Sequence, residues 1–310
     1  MQSTAEFQVF FETVLKPDLQ KLEDYRLKRM SVFKWFRNSA IITGIIVLII
    51  FFLVDNHVII AFSILALVFT LGLCYETLTK TNLQLIKEYK NRVLPKILEF
   101  INPECRYIPN QKIAKTVLSK SLLFPREVNI VKGEDYMQFR INDVDIMFCE
   151  SEVYGYRPGY KMFDRIFISA TFNKEFTSRT FIFPEKTTGF FRKLRFRILG
   201  ASYNVKLEDP EFEKEFIVLG EDQVESRYIL TTSLMQRILE YKKKVKAEMA
   251  FSFIQNRLYC TIPDARNLFE PAIFDSFLDF SFILKSYEPI ILYTAIVNDL
   301  NLNLRIWSKI

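Results

Sequence analysis

Histidine is almost missing: of 310 residues one is a histidine, His57. It sits between two apolar runs, so the rest of the chain has no imidazole for Ser-His-Asp or Cys-His catalysis or for a histidine-ligated metal site. Glycine is scarce too, eight in all, and neither G-x-x-x-x-G-K nor G-x-G-x-x-G occurs. Phosphate-cradling and dinucleotide-binding loops therefore lack their usual carriers. The four cysteines, Cys74, Cys105, Cys149 and Cys260, form no close pair in sequence. Neither a zinc knuckle nor a disulfide framework is indicated, and reduced structural thiols are expected. No cofactor and no metal is expected. No apolar run lies close to Met1, so no cleavable signal is read and the later runs are expected to be retained.

What the chain does have is two long apolar runs, Ala40 to Val54 and Val58 to Leu73, parted only by Asp55, Asn56 and His57. They read as a two-helix transmembrane hairpin with spans at about 38–54 and 58–75, or as a helical re-entrant hairpin. The spans hold hydroxyls, such as Thr43, Ser63 and Thr70, but no ionisable group, which argues against a transport path. Ala40 with Gly44, and Ala66 with Thr70, are small residues four apart that let helices approach, within the hairpin or between copies in a homo-oligomer.

Lys21, Arg26, Lys28, Arg29, Lys34 and Arg37 precede the first span and Lys80, Lys87, Lys90 and Arg92 follow the second, while the turn has no lysine or arginine. By the positive-inside rule both termini are expected in the cytoplasm, with Trp35 and Tyr75 at the interface. The net charge of +6 then suits anionic lipid heads better than nucleic acid, for which no reading module is legible. Phe7, Phe11, Val14, Leu15, Leu19, Leu22 and Arg26, and Leu78, Leu85, Tyr89, Val93 and Ile97, recur at helical spacing. These flanks are expected either to zip into a juxtamembrane stalk or to pack on the soluble domain. Pro17 is expected to start a second helix or kink a single one.

Residues 1–101 thus read as the anchor region and 102–310 as one soluble domain. Met137, Phe139 and Ile141 alternate with polar residues, as do Val144, Ile146 and Phe148 after Asn142-Asp143, which predicts a β-hairpin. Arg165 to Phe172, Arg179 to Phe183, and a hairpin of Phe251 to Ile254 and Leu258 to Ile262 around Gln255-Asn256 add strands. Asp209-Pro210 predicts a cap, with Phe212 and Phe216 one turn apart. Asp222 to Glu225 and Ser233 to Gln236 have capping-box spacing. Pro271 is expected to open a last helical region that Pro289 kinks or divides. The class is α+β: an N-terminal transmembrane hairpin with amphipathic flanks, then an antiparallel sheet with packed helices.

Two groups stand out as candidate functional residues. The stretch Gly189 to Leu199 carries Arg192, Lys193, Arg195 and Arg197 among apolar residues, a candidate membrane-surface contact or a solvated basic face. Asp222, Glu225, Arg227 and Tyr228, with Asn303 and Arg305 near the C-terminus, form candidate polar clusters. Meeting in one cleft, the carboxylates would suit acid–base chemistry or a cation and Arg227 or Arg305 an anion; on helix caps they would be structural. Lys242, Lys243, Lys244 and Lys246 suit a helix C-terminus.

Leu207-Glu208-Asp209-Pro210-Glu211-Phe212-Glu213, Asp222-Gln223-Val224-Glu225, Arg227-Tyr228-Ile229-Leu230-Thr231, Leu268-Phe269-Glu270-Pro271 and Asp299-Leu300-Asn301-Leu302-Asn303 before Arg305-Ile306-Trp307 resemble a bacterial two-span membrane protein family catalogued as domain of unknown function 3137. The resemblance is detailed from Lys206 to Trp307 and looser at the spans, at Lys132-Gly133-Glu134-Asp135 and at Phe172-Asn173-Lys174-Glu175-Phe176. It implies a bacterial inner-membrane protein with a cytoplasmic domain and brings no catalytic residues. The sequence reading is therefore a membrane-anchored cytoplasmic module that binds the bilayer surface or a protein partner. The alternative is a membrane-associated enzyme using the Asp/Glu/Arg clusters.

Overall fold

The computed structural model describes residues 3–54, 56–124, 128–156, 161–171, 175–185, 203–263, 268–300 and 302. The chain divides into two compact units: Met1–Ile97 with Asn267–Tyr287, and Leu98–Arg266 with Glu288–Ile310. The sequence reading kept all of 102–310 together, whereas 267–287 packs among the N-terminal helices.

The first unit is built on two long helices, α1 (Thr4–Leu53) and α2 (His57–Ile101), both long and apolar enough to cross a membrane. Ser3 opens α1 with a capping box, its hydroxyl accepting from the Glu6 N–H and its own N–H donating to the Glu6 carboxylate. Asn56 caps α2 by accepting from the Val58 and Ile59 N–H groups. Pro17 lies in the first turn of the α-helical segment Lys16–Leu53, as the sequence reading expected, but the chain stays helical through it from Thr4. A π turn over Phe11–Leu15 precedes it, and a second π turn, Tyr89–Val93, precedes Pro95. A widened turn lets the helix re-register where proline supplies no N–H.

The helical pair has two zones. From Ile41 to Tyr75 large apolar side chains point outward, Phe52 79% and Phe69 65% exposed. Away from the turn that joins them, the same helices bury Phe7, Phe11, Leu15, Leu19, Leu85, Tyr89 and Val93. There Arg29 donates to the Thr81 hydroxyl at 3.1 Å and Lys96 pairs with Asp18 at 2.6 Å. The flanks thus zip together, and segment 267–287 completes their core. Phe7 stacks on Tyr287, Phe11 meets Phe280 edge-on, and Tyr89 lies against Phe277 and Phe282. The Tyr89 hydroxyl donates to Ser286, which donates to the Leu268 carbonyl.

The pair Glu23–Arg26 lies inside this core, 5% and 8% exposed. Arg26 makes two bonds to the Glu23 carboxylate and one to the Ile273 carbonyl at 2.9 Å. Glu23 also accepts from the Phe277 N–H at 3.0 Å and from the Ser276 hydroxyl. Arg26 therefore belongs to the apolar stripe by position, because its charge is fully engaged.

The second unit is a nine-stranded antiparallel sheet among the described residues, in spatial order β1-β2-β3-β4-β9-β8-β5-β7-β6. Its strands are β1 (Arg106–Ile108), β2 (Ile130–Ile141), β3 (Val144–Tyr154), β4 (Lys161–Thr171), β5 (Thr180–Pro184), β6 (Tyr203–Asn204), β7 (Phe216–Gly220), β8 (Ala250–Ile254) and β9 (Arg257–Ile262). The β2–β3 turn is Asn142-Asp143, with φ of 48° and 65°, the left-handed pair that a two-residue hairpin demands. β8 and β9 turn at Gln255, φ 56°.

Among the described residues the remaining helices are α3 (Lys115–Ser121), α4 (Pro210–Glu215), α5 (Gln223–Ile229), α6 (Thr232–Val245), α7 (Phe280–Thr294) and α8 (Ile296–Asp299). Asp209 caps α4 as expected, accepting from the Glu211 and Phe212 N–H groups. Phe216, expected one helical turn past Phe212, is instead the first residue of β7. Its rings still meet Phe212 at 5.0 Å, but the fully buried Phe-Ile-Val-Leu-Gly run favours a strand. Thr231, not Ser233, caps α6 through the Leu234 N–H. Pro271 opens no helix; α7 begins at Phe280, after Asp279 accepts from the Ser281 N–H. Nor does Pro289 divide α7. Buried Ile283, Tyr287, Ile290 and Tyr293 form one stripe along it, and their burial offsets the missing hydrogen bond.

Sheet alternation separates two faces. One carries Phe139, Phe148, Ile168, Phe251 and Cys260 under α6 and the end of α7, where Phe148 meets Tyr293 and the Tyr241 hydroxyl donates to the Leu292 carbonyl. The other carries Val131, Met147, Cys149, Phe167, Phe183 and Tyr259, and is covered by α3 and the segment following it.

Candidate functional site

The lightly covered face is where the second unit opens. α3 is two turns long, and it is held down by buried Leu118 and by the Ser252 hydroxyl, which donates to the Ser121 carbonyl at 2.7 Å. Leu122, φ 55°, ends the helix and turns the chain back into the core. So short a helix leaves the sheet bare beside it, and two clefts result.

The first cleft, about 490 Å³, lies between Gln111–Lys115 and the start of β2. Its walls are Ile113, Ala114, Val117, Val131 and Met147, with Lys112 and Lys115 also lining it. The second, about 360 Å³, is polar: Lys120, Gln138, Gln255, Asn256 and Arg257 surround Tyr259. Val117, Tyr136 and Met147 line both. Arg257 is aimed by a 3.0 Å hydrogen bond to the Ser169 hydroxyl. Burial raises the hydroxyls of Tyr136 and Tyr259 above the ordinary tyrosine range, so both remain protonated donors. Both volumes fall within the range of small-ligand pockets.

A second arrangement is carried by β2 and β3. Glu134 and Glu150 are directly opposed across the ladder, and Asp135, φ 57°, sits in the bulge that follows. Ligand atoms of these three carboxylates lie within 4.8 Å of one another, the group among the described residues whose spacing would suit a shared cation. The Tyr107 hydroxyl donates to Asp135 at 2.6 Å. Gly133 permits the close ladder here, since a Cβ would stand 2.4 Å from the Glu150 carbonyl oxygen. Cys149, on the neighbouring position, is buried with its sulfur 3.2 Å from the Glu134 carbonyl, and burial pushes its thiol up to about 12. All four cysteines are free thiols, and Cys149 is no nucleophile at neutral pH.

The polar residues singled out from sequence are placed apart from these clefts. Asp222 caps α5 through the Val224 and Glu225 N–H groups. Glu225 does not close a capping box. Its carboxylate reaches the 177–178 loop, accepting from the N–H and hydroxyl of both Thr177 and Ser178. Burial alone would raise this carboxyl, but the four hydrogen bonds together hold it below the ordinary range. Arg227 donates to the Lys206 carbonyl and to Gln223, and Tyr228 is exposed on the surface. Lys242, Lys243 and Lys244 pair with Glu215, Glu211 and Asp299. Arg192, Lys193, Arg195, Arg197, Asn303 and Arg305 lie outside the described residues.

The clefts went unseen in the sequence because strands distant in sequence are first joined by pairing and α3 then packs on the face they form. The one local signal was the basic spacing of Lys112, Lys115 and Lys120 around Val117.

The fold defines a mixed α+β protein with a large antiparallel sheet and, among the described residues, three helices long and apolar enough to span a membrane, of which α1 and α2 expose their apolar stretch and Phe280–Asp299 is more than half buried. Residues 161–302 match the family described as "Protein of unknown function (DUF3137)", so the resemblance seen in the sequence holds over that part of the chain. No curated protein matches the chain. Among solved structures the chain is similar to the mycobacterial trehalose monomycolate transport factor A, TtfA, at 9% identity and a TM-score of 0.37, over 67% of this chain and 97% of that one. So distant a likeness says nothing of this chain's role.

Proposed function

We propose that the chain is a membrane-anchored cytoplasmic binding module of the bacterial inner membrane, with both termini in the cytoplasm. The observation that carries this reading is the outward-facing apolar band from Ile41 to Tyr75, which ends where buried Thr77 and Ala40 begin. An apolar band of that length is stable in hydrocarbon and costly in water. Lysines and arginines flank it and none occupies the turn, which favours a cytoplasmic stalk. The second unit then presents its open sheet face to a ligand or protein partner. Engagement of Asp222, Glu225 and Arg227 in caps and loop anchoring favours binding over acid–base chemistry by those residues. In the same reading Arg192, Lys193, Arg195 and Arg197 lie against anionic lipid heads.

Alkaline extraction and protease access test the anchor and its orientation. The full chain should pellet with membranes in carbonate. Its C-terminal two-thirds should resist protease in intact spheroplasts and be cut in opened ones. Release by carbonate would remove the anchor; digestion from outside would reverse the orientation.

A further inference from the structure

We propose that the two clefts beside α3 form one continuous site for a single-chain amphiphile with an anionic head. The clefts adjoin, since Val117, Tyr136 and Met147 wall both. Their characters differ from end to end. Ile113, Val117, Val131 and Met147 give the larger one an apolar wall, whereas the smaller one is lined by amide, hydroxyl and cationic groups. A gradient of that kind matches a molecule with one polar end. A peptide strand, by contrast, would carry backbone polar groups along its whole length and leave some of them facing the apolar wall unpaired.

The sign of the head follows from the lining. At the polar end two cations, Lys120 and Arg257, outnumber the one carboxylate, Asp145, while Lys112 and Lys115 line the larger cleft. None of the four is in an ion pair among the described residues, unlike Lys242, Lys243 and Lys244 on α6. Arg257 and Lys120 stand at the polar end with Gln138, Gln255 and Asn256. That donor set fits a carboxylate or phosphate carrying hydroxyl neighbours. The apolar end takes the chain, where burial of each methylene contributes about 0.8 kcal/mol. This inference rests on reading the second unit as a binding module.

The test uses the full chain in phosphatidylcholine nanodiscs and a sixteen-carbon carboxylic acid bearing a diazirine near its tail, with its methyl ester as the neutral partner. After photolysis, adducts are located by peptide mass spectrometry. The acid should label peptides containing Val117, Val131 or Met147 about ten-fold more than the ester does. The double substitution Lys120→Gln with Arg257→Gln should cut that labelling about ten-fold. Lys120→Gln alone, which leaves the Arg257–Ser169 bond intact, should cut it by a smaller factor, so a folding defect of the double variant cannot mimic the result.

Equal labelling by acid and ester, or cleft labelling indifferent to both substitutions, overturns the proposal. So does an acidic peptide that shields Lys112 and Lys120 from acetylation when the fatty acid does not, since the occupant is then a protein. Labelling of 41–75 in every sample reports the anchor separately. Its loss refutes the membrane reading, and cleft labelling still decides the ligand.

Discussion

Replacing Glu23 by alanine leaves the Arg26 guanidinium, 8% exposed, without the carboxylate that takes two of its donors. The Phe277 N–H and the Ser276 hydroxyl lose their acceptor at the same time. Breaking one side of a buried ion pair costs about 3–5 kcal/mol, because the survivor is neither paired nor hydrated. The loss falls on the packing of 273–277 against α1. Since each 1.4 kcal/mol is ten-fold, hydrogen exchange at the Phe277 amide should quicken by roughly two to three and a half orders of magnitude. Arg26→Ala should do nearly the same, and the double variant should cost less than the two singles added, because neither charge is then stranded. The reasoning is refuted if the Glu23→Ala variant exchanges like the parent, or if the two effects simply add.

The same pair sets a pH dependence. Burial pushes the Glu23 carboxyl up, but the Arg26 and Phe277 hydrogen bonds and the Arg26 charge outweigh it, leaving the carboxyl below the ordinary range. A depressed carboxyl stabilises above its unfolded pKa, about 4.3, and that stability is lost as pH falls through the folded value. Exchange at Phe277 should therefore be flat from pH 8 to about 5, after correction for intrinsic rates, and rise below about 4.

Glu225→Gln should cost about 1.5–3 kcal/mol by weakening the charge-assisted bonds to Thr177 and Ser178, seen as a lower melting temperature at pH 7. The difference from the parent should shrink in acid, as the parent's own carboxyl protonates; a constant difference would refute it. Gly133→Ala places a methyl against the Glu150 carbonyl and should lower stability by about 1–3 kcal/mol; an unchanged melt would show that the bulge gives way instead. In nanodiscs containing anionic lipid, a headgroup photoprobe should label peptides from 189–199, and glutamine at Arg192, Lys193, Arg195 and Arg197 should remove the label. Labelling that survives the substitutions would discard the lipid contact.

Features written in neighbouring residues were legible in advance. The Asn142-Asp143 turn, the Asp209 cap and the alternation of Met137 to Phe148 need only local chemistry, and so does the apolar hairpin. Features set by distant partners were not. Phe216 looked helical beside Phe212, and its strand follows from pairing with Pro184, a position in another run. Glu225 had capping-box spacing, yet its carboxylate is claimed by a loop some fifty residues earlier. Arg26 read as an odd member of an apolar stripe until segment 273–277 supplied the groups that let it be buried. The clefts fall in the same class, since Val117 on α3 and Met147 on β3 come together only when the helix packs on the sheet.

The return of 267–287 to the N-terminal helices gives biosynthesis an order. Phe7, Phe11 and Tyr89 emerge early, but their ring partners Tyr287, Phe280 and Phe277 emerge roughly two hundred or more residues later, on the order of ten seconds or more at ordinary elongation rates. In that interval the two helices are already joined at their turn, and their lower core is open along one side. The intervening sheet residues complete their synthesis before that opening closes. A chain cut short after residue 263 has its helical hairpin whole and an apolar seam uncovered, a form that cellular quality control would meet as damaged.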